Sequence, residues 1–455
     1  MFSLIAAMVL TLVLFALLKE RVLYLIFIWA YIQNFVLAWM YTSGWAGTNL
    51  CQALLVIKEF LLLWLFFYFL PQLKRCCGGR WPLPLRILGL FTLWCAVRYL
   101  AAVLLQGQGF VENLWYLRVA SFPLQILTVA IGLSLTKPKF ANRFIRQMSY
   151  VTAGMALLGI LIYLIPETTF WRNHVDIADY NLEVKGGAGD SALREQLGGE
   201  DEKEIEEGLP GNARGHEEFA FLSAFRAFGT VGDAVGFGHL LAFPVLLLTF
   251  CFPRNWKTNL MLGVTLVALF FSFTRSAWIF VLVGYAIALF RKKRYRLILG
   301  VVGTVVIALM IWTPLVDWYS NSLAMLSWDN PQEDHAEGLV WLYREGLWQR
   351  GNVFGQGLTA HVPESGYGLL LVRYGMPAFL CILWFCWALY RSLRQSAWGD
   401  RSLFLVAQVV PLGMIVMLNF SYYPFSFIPY LLTWFVVGTC LALVPAKGEH
   451  IGELT

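Results

Sequence analysis

Apolar residues run in long, nearly uninterrupted stretches along this chain, and short polar or basic segments separate one stretch from the next. A helix that crosses a bilayer needs about 20 consecutive, mostly apolar residues, so each stretch predicts a transmembrane helix. We predict about 12 to 13 such helices, and the first stretch has the weakest transmembrane signal. The predicted spans are 2–18, 23–42, 49–70, 84–105, 114–135, 149–165, 235–252, 259–273, 277–290, 297–313, 366–390, 403–419 and 425–443.

The composition agrees with this pattern and excludes an ordinary soluble domain. The 455 residues are 59% hydrophobic and 14% charged, with a mean hydropathy of +0.64. Soluble domains carry about 25% charged residues, so this deficit predicts an all-α integral membrane protein. No charged leader with a small-residue cleavage site precedes the first stretch, and we therefore expect the 2–18 helix to be retained.

The net charge of +6 lies in short basic clusters between the stretches, which indicates topology rather than nucleic-acid binding. Every second loop is basic, and these loops contain Lys19, Arg21, Lys74, Arg75, Arg80, Lys137, Lys139, Arg143, Arg146, Arg254, Lys257, the run from Arg291 to Arg296, Arg391, Arg394 and Arg401. The positive-inside rule places these loops and the carboxy terminus in the cytoplasm. Two long loops then face the outside of the membrane.

Five segments follow from this topology. Residues 1–165, 235–313 and 366–455 are predicted groups of transmembrane helices. Residues 166–234 form an outer loop with an acidic, flexible flap, and residues 314–365 form a second outer loop with interfacial helices. All eight cysteines fall in spans or predicted cytoplasmic loops, so the outer loops have no disulfide framework or zinc spacing.

The first outer loop changes character along its length. Residues 185–218 are rich in glycine and acidic residues, which predicts a solvated flap that is either a lid or an insertion without a catalytic role. From residue 219, apolar residues, glycines and Arg226 lead directly into the next span. This pattern fits an amphipathic segment that brings Arg226 to the membrane interface.

The second outer loop contains a predicted interfacial helix over 336–350, where apolar and aromatic residues recur at helical spacing. The glycines that follow, Gly351, Gly355 and Gly357, predict a tight turn in which the backbone approaches another segment closely. A nearby acidic cluster lacks a convincing metal geometry, and we expect no metal there. That cluster contains Glu333, Asp334, His335 and Glu337.

Ionisable residues inside predicted spans are costly in a bilayer and usually mark a function or a buried pair. Lys58 and Glu59 fall near the middle of the third stretch, and because neighbours on a helix point about 100° apart, we do not expect them simply to neutralise each other. Five arginines lie at or near the predicted outer leaflet: Arg98, Arg118, Arg226, Arg275 and Arg373. Each could be a separate structural pair. Together they predict a cationic pocket for a lipid pyrophosphate, because a guanidinium binds two phosphate oxygens at once.

Three stretches resemble the O-antigen ligase and polysaccharide polymerase superfamily of bacterial envelope enzymes. "RAFGTVGDAVGFGHLLAF" begins at Arg226 and leads into a span, and "FSFTRSAW" forms a turn between two spans. In "NVFGQGLTAHVPESGYGLLLVRYGMPA", Glu364 and Ser365 are followed by nine residues and then Gly375. The resemblance covers mainly residues 220–400. The chain departs from the family at Ala234-Val235, where Pro-Asn is frequent.

The resemblance implies a GT-C-like, metal-independent, inverting glycosyltransferase without a cofactor. It implies transfer of a glycan from undecaprenyl pyrophosphate to an acceptor hydroxyl at the outer face of the bacterial inner membrane. Glu364 would be the catalytic base, with His361 in reserve, and the arginines would bind the donor pyrophosphate, above all Arg226 and Arg275. Lipid A-core ligases usually have histidine where this chain has Glu364, which favours a polymerase. The alternative for Glu364 is a carboxylate that stabilises a helix N-terminus.

Other assignments remain open from the sequence. The glycan acceptor is a lipid-linked polysaccharide, lipid A-core or a protein side chain, and a chain-length regulator is a candidate protein partner alongside the membrane lipids. Four aromatic residues are candidate platforms for sugar rings or membrane anchors: Trp341, Tyr343, Trp348 and Tyr367. A transporter or flippase would explain the intramembrane charges, but we find no repeat symmetry between the two halves. A structural or assembly protein of the membrane is a more distant alternative.

Overall fold

The computed structural model describes residues 2–76, 81–105, 110–164, 175, 180, 184, 234–272, 274–291, 340–357, 365–395, 402–419 and 423–443. These residues form helices and their connections, and none of them lies in a β-strand. The predicted 297–313 span, the acidic flap and the predicted site residues Arg226, His361 and Glu364 lie outside the described residues.

Fourteen α-helices are numbered here in chain order within the described residues. They are α1 (Phe2–Leu18), α2 (Val22–Thr42), α3 (Thr48–Leu55), α4 (Ile57–Cys76), α5 (Leu83–Leu105), α6 (Phe110–Thr136), α7 (Pro138–Tyr163), α8 (Ala234–Phe250), α9 (Trp256–Phe271), α10 (Arg275–Arg291), α11 (Gly366–Leu369), α12 (Met376–Gln395), α13 (Ser402–Met417) and α14 (Phe427–Ala442). Every predicted span within the described residues coincides with a helix or a pair of helices, which confirms the predicted all-α class.

Five helical segments in the described part of the chain are long and apolar enough to cross a membrane: Thr48–Arg75, Leu83–Leu105, Tyr116–Thr136, Pro138–Tyr163 and Met376–Arg394. The first of them consists of α3 and α4 taken together. Shorter apolar helices of 10–17 residues include Val235–Phe250, Ser402–Met417 and Phe427–Ala442. On helix length and composition, this is a membrane protein.

Helix α14 lies at the centre of the bundle. Its residues from Pro429 to Leu441 are all buried, as expected for a helix that is apolar on every face. It packs against α6, α8 and α13, and its Trp434 indole donates a hydrogen bond to the Pro424 carbonyl at 2.9 Å. Phe435 packs against Phe27 of α2 and Phe144 of α7, so α14 also joins the carboxy-terminal helices to the amino-terminal ones.

Three elements depart from the predicted spans. The third span is divided into α3 and α4, with the break at Val56. Helix α7 begins at Pro138, eleven residues before the predicted start at 149, and proline is favourable at the first position of a helix. The 366–390 span is divided by Gly375 into a short segment, α11 with the π-helical turn Leu370–Tyr374, and the longer α12.

Candidate functional site

The short helical segment 366–374 is the nine-residue spacer of the predicted signature, between Ser365 and Gly375, and it is fixed at its start. The Ser365 hydroxyl accepts a hydrogen bond from the Gly368 backbone N–H at 3.2 Å and caps the helix. The Tyr367 backbone N–H donates to the Leu418 carbonyl at 2.9 Å, and the Tyr367 hydroxyl donates to the Ile415 carbonyl at 3.0 Å. These bonds tie the segment to the end of α13.

The end of this segment is paired with the loop over 353–356. The Gln356 N–H donates to the Val372 carbonyl at 2.6 Å, and the Met376 N–H donates to the Val353 carbonyl at 3.1 Å. Gly355 has φ +85°, and a Cβ placed on it would lie 2.8 Å from the Arg373 carbonyl oxygen. The close backbone approach predicted from the glycine spacing is therefore confirmed at Gly355. We call 353–356 and 372–376 the paired turns.

Gly375 is required by these paired turns. Its backbone has φ +87° and ψ 176°, a region occupied essentially only by glycine, and a Cβ would lie 2.6 Å from the Phe354 carbonyl carbon. We expect Gly375→Ala to lower the free energy of unfolding by about 2 kcal/mol or more, because the strain adds to displacement of the backbone of the facing turn. Equilibrium unfolding in mixed micelles measures this change.

Gly263→Ala is the matched control for that variant. Gly263 lies within α9, and a Cβ there would meet nothing within 4 Å. Alanine is favoured over glycine inside a helix by about 0.5–1 kcal/mol, so the control is expected to be neutral or slightly stabilising. Equal behaviour of the two variants would contradict the tight pairing of the turns.

Arg98 and Arg373 both lie at the paired turns. On α5, Trp94 and Arg98 are four residues apart and share one face, from which the Trp94 indole donates to the Tyr374 carbonyl at 2.7 Å. From the same face, Arg98 Nη2 donates to the Gly355 carbonyl at 3.0 Å. The guanidinium of Arg373 lies over the Tyr116 ring, with 4.8 Å between Cζ and the ring centroid. We call Arg98, Arg373 and Tyr116 the Arg98–Arg373 site.

Both arginines at this site have unused hydrogen-bonding capacity. The Nε atoms of Arg98 and Arg373 are buried and make no hydrogen bond with any described residue. Both side chains are partly exposed as a whole. A buried N–H group without an acceptor is unfavourable in free energy. An anion that accepts hydrogen bonds from these Nε atoms would therefore be bound favourably.

Arg118 belongs to a different cluster. Its Nη1 lies 3.2 Å from Glu59 Oε1, and Lys58 Nζ lies 3.1 Å from the same oxygen. Lys58 also donates to the Leu55 carbonyl at 2.8 Å, beside the break at Val56, and lies over the Phe427 ring. Lys58 and Glu59 therefore do pair, but, as expected, they do not simply neutralise each other, because Arg118 shares the same carboxylate. Their long side chains converge although their Cβ atoms diverge.

The predicted arginines thus occupy several places in the described residues. Arg118 and Tyr116 are two positions apart on α6 and point to different faces, which separates the ion cluster from the Arg98–Arg373 site. Arg275 begins α10, which packs on α8 and α13, whereas α5 packs on α6 and α12. The structure therefore separates Arg118 from Arg98 and Arg373, and the grouping of Arg275 with them stays a prediction.

The four candidate sugar platforms differ in exposure. Trp348 is 77% exposed and Tyr343 is 58% exposed, with the Tyr343 hydroxyl donating to Asn419 Oδ1 at 2.9 Å. Trp341 is partly buried and packs over Gly346. Tyr367 is only 4% exposed, so its observed role is to anchor the 366–374 segment. Sugar binding by Tyr343, Trp348 and Trp341 stays a prediction.

His239 is a polar residue that the sequence reasoning did not single out. It is buried in α8, with Nε2 3.1 Å from the Ser276 hydroxyl and Nδ1 3.4 Å from the Tyr430 hydroxyl. Ser276 directly follows Arg275, so this network fixes the start of α10 where Arg275 lies. A histidine within the apolar run "GFGHLLAF" was the available signal.

Comparison of the chain with models of protein families, with curated proteins and with solved structures finds no match. Among the described residues there is also no group of three or more His, Cys, Asp or Glu that could hold a metal ion. The fold and site therefore define the class at one level only, an all-α protein with several helices able to cross a membrane.

Proposed function

We propose that this protein polymerises lipid-linked oligosaccharide repeat units into O-antigen or exopolysaccharide. It acts as a GT-C-like, inverting glycosyltransferase on undecaprenyl pyrophosphate glycans, at the outer face of the bacterial inner membrane. A chain-length regulator is a candidate protein partner. The proposal takes its orientation from the positive-inside rule, which assigns the basic loops to the cytoplasm and residues 340–357 and 365–376 to the opposite side.

One observation carries the proposal. The Arg98–Arg373 site presents two guanidinium groups with unused buried donors, directly beside the segment that carries the Glu364-to-Gly375 signature. Arginine forks match phosphate oxygens, and cations inside a membrane protein generally mark a substrate path. Two guanidinium groups suited to phosphate, in the same region as the predicted signature, fit an enzyme whose substrates are pyrophosphate-linked glycans.

The proposed reaction is a single displacement. The acceptor hydroxyl oxygen attacks the anomeric carbon of the donor, and a new carbon–oxygen bond forms with inverted configuration. The bond between that carbon and the donor phosphate oxygen breaks, and its electron pair leaves with the pyrophosphate. The hydroxyl proton passes to the Glu364 carboxylate, while Arg226 and Arg275 neutralise the leaving group.

The test is turnover of undecaprenyl-pyrophosphate oligosaccharide by the purified full-length protein in proteoliposomes, with and without EDTA. We expect lipid-linked glycan of high molecular weight, in equal amounts under both conditions. Product formed only when lipid A-core or a protein acceptor is supplied would replace the polymerase by a ligase. Transbilayer movement of the lipid-linked glycan without new glycosidic bonds would replace the enzyme by a flippase.

A further inference from the structure

The Arg98–Arg373 site has the chemistry of a phosphate site. Arg98 is already held by the Gly355 carbonyl and Arg373 by the Tyr116 ring, so both guanidinium groups are pre-positioned. Their buried Nε atoms have no described acceptor, whereas Arg118 is paired with the Glu59 carboxylate. An anion with several oxygens, such as phosphate or pyrophosphate, would accept from both arginines.

The surroundings of Arg98 favour a phosphate that is attached to a lipid. A stripe of exposed apolar side chains runs along α5 beside Arg98, at the helical spacing i, i+3, i+7, i+10 and i+14. It consists of Leu90, Leu93, Val97, Leu100 and Leu104. Arg98 precedes the last residue of α5 by seven positions, about 10 Å along the axis. A lipid whose phosphate binds Arg98 can therefore lay its hydrocarbon chain along this stripe.

The distance along the 366–374 segment separates this phosphate from the reacting carbon. Arg373 lies eight residues after Ser365, or about 12 Å at a helical rise of 1.5 Å per residue. A general base must lie within about 3 Å of the hydroxyl that it deprotonates. The donor phosphate is bonded directly to the attacked carbon and so lies close to the base. Arg373 is about two helical turns along the segment from Ser365, which favours a phosphate that is farther from the reacting carbon.

The phosphate of a lipid-linked acceptor has a different place. In the acceptor, the attacking hydroxyl is at one end of the glycan, and the pyrophosphate and its lipid are at the other. Its phosphate is therefore separated from the base by the length of a repeat unit. Arg98 lies on α5 and Arg275 begins α10. Helix α5 packs on α12, α12 on α13 and α13 on α10, so the two helices belong to different parts of the bundle.

We propose that the Arg98–Arg373 site binds the pyrophosphate of the acceptor, a second polyprenyl-pyrophosphate glycan, while Arg226 and Arg275 bind the donor. This inference rests on the proposed function and assigns the acceptor phosphate to particular residues of this chain. No bond to the acceptor phosphate forms or breaks. The Arg98–Arg373 site therefore sets acceptor affinity and length, and takes no part in the chemical step.

The test is two-substrate kinetics with a long donor glycan and a single-repeat acceptor, each on undecaprenyl pyrophosphate and each varied in turn. Arg373→Gln and Arg98→Gln are expected to raise KM for the acceptor about 10- to 100-fold, the size of a lost charged hydrogen bond. The donor KM is expected to change less than about two-fold. Arg391→Gln is the matched control. The guanidinium of Arg391 also lies over an aromatic ring, with 5.2 Å between its Cζ and the centroid of Trp387, but near the carboxy-terminal end of α12 and away from the Arg98–Arg373 site.

A second variant keeps the test decisive if an arginine variant fails to fold. Tyr116→Leu removes the ring beneath Arg373 and leaves both charges, and it is expected to raise the acceptor KM about three-fold. An unchanged acceptor KM, or an equal rise for donor and acceptor, would overturn the inference while the proposed function stands.

Binding of undecaprenyl pyrophosphate to the wild type in nanodiscs separates this inference from the proposed function. If the wild type shows no turnover, the proposed function fails. In that case, a loss of at least ten-fold in the affinity of Arg373→Gln for undecaprenyl pyrophosphate, relative to Arg391→Gln, would still support a phosphate site at Arg373. An unchanged affinity would overturn the phosphate site as well. Equal competition by inorganic pyrophosphate, or by phosphatidylglycerol, would overturn the assignment to a polyprenyl lipid.

Discussion

Glu364→Gln is expected to lower the rate of glycan polymerisation about 10²- to 10⁴-fold, the contribution of a positioned general base. Glutamine keeps the size and the hydrogen-bonding shape of the side chain but cannot accept the proton of the acceptor hydroxyl. Under the proposed function Glu364 acts in the transition state, so the loss is expected in kcat, with the KM of both lipid-linked glycans nearly unchanged. Single-turnover assays on purified protein measure it.

Glu345→Gln is the matched control for the catalytic base. Glu345 is an exposed carboxylate in the described part of the same loop, and its neutral variant should retain wild-type turnover. Full activity of Glu364→Gln would exclude the base and leave the helix N-terminal role for Glu364. Activity lost in Glu364→Gln but kept in a His361→Gln variant would assign the proton transfer to Glu364 alone.

Glu59→Gln is expected to destabilise the fold by about 3–5 kcal/mol, the cost of removing one partner from a buried ion pair. The Lys58 side chain is only 4% exposed and would lose its counter-ion, and Arg118 would lose its carboxylate partner. The loss should be visible as a lower free energy of unfolding in mixed micelles. Activity of the remaining folded protein should change less than its stability, because Glu59, on α4, contacts Arg118 on a different face of α6 from Tyr116 of the Arg98–Arg373 site.

Two further variants test the physical cause. Glu20→Gln removes the partner of Lys137 at the surface, where an ion pair is worth at most about 1 kcal/mol. The double variant Lys58→Met with Glu59→Gln removes the buried cation as well and should recover more than half of the lost stability, because Arg118 is 38% exposed and can be hydrated. No recovery would show that packing, and not charge, explains the loss.

The predicted spans agree with the helices wherever apolar length alone decides the structure. The helices α5 and α13 begin and end within about two residues of their predicted bounds, within the usual uncertainty of helix ends. The predicted bounds are wrong where something other than apolar length sets the end of a helix. Helix α7 extends through Arg143 and Arg146, because a basic helix end leaves the apolar pattern without ceasing to be helical. Nothing in the hydropathy marks the break at Val56.

The sequence predicted which arginines lie in or near the apolar spans, but not which of them lie close together. Arg98 and Arg373 are 275 positions apart in the chain, and only the pairing of Gly355 with Gly375 brings them to one place. Glu59 and Arg118 show the converse, because two residues that seemed separate form one ion cluster. His239 was missed because a lone histidine in an apolar run has no partner visible in sequence.

The helices at the centre of the bundle are short. Helices α13 and α14 have 16 residues each, about 24 Å, against a bilayer hydrocarbon core of about 30 Å. The longer α5 and α12, at 23 and 20 residues, reach about 35 and 30 Å. In their described extent, α13 and α14 are therefore about 6 Å shorter than the hydrocarbon core, whereas α5 and α12 match or exceed it. A mismatch of this kind makes a membrane protein sensitive to bilayer thickness, so under the proposed function a thicker membrane is expected to slow turnover.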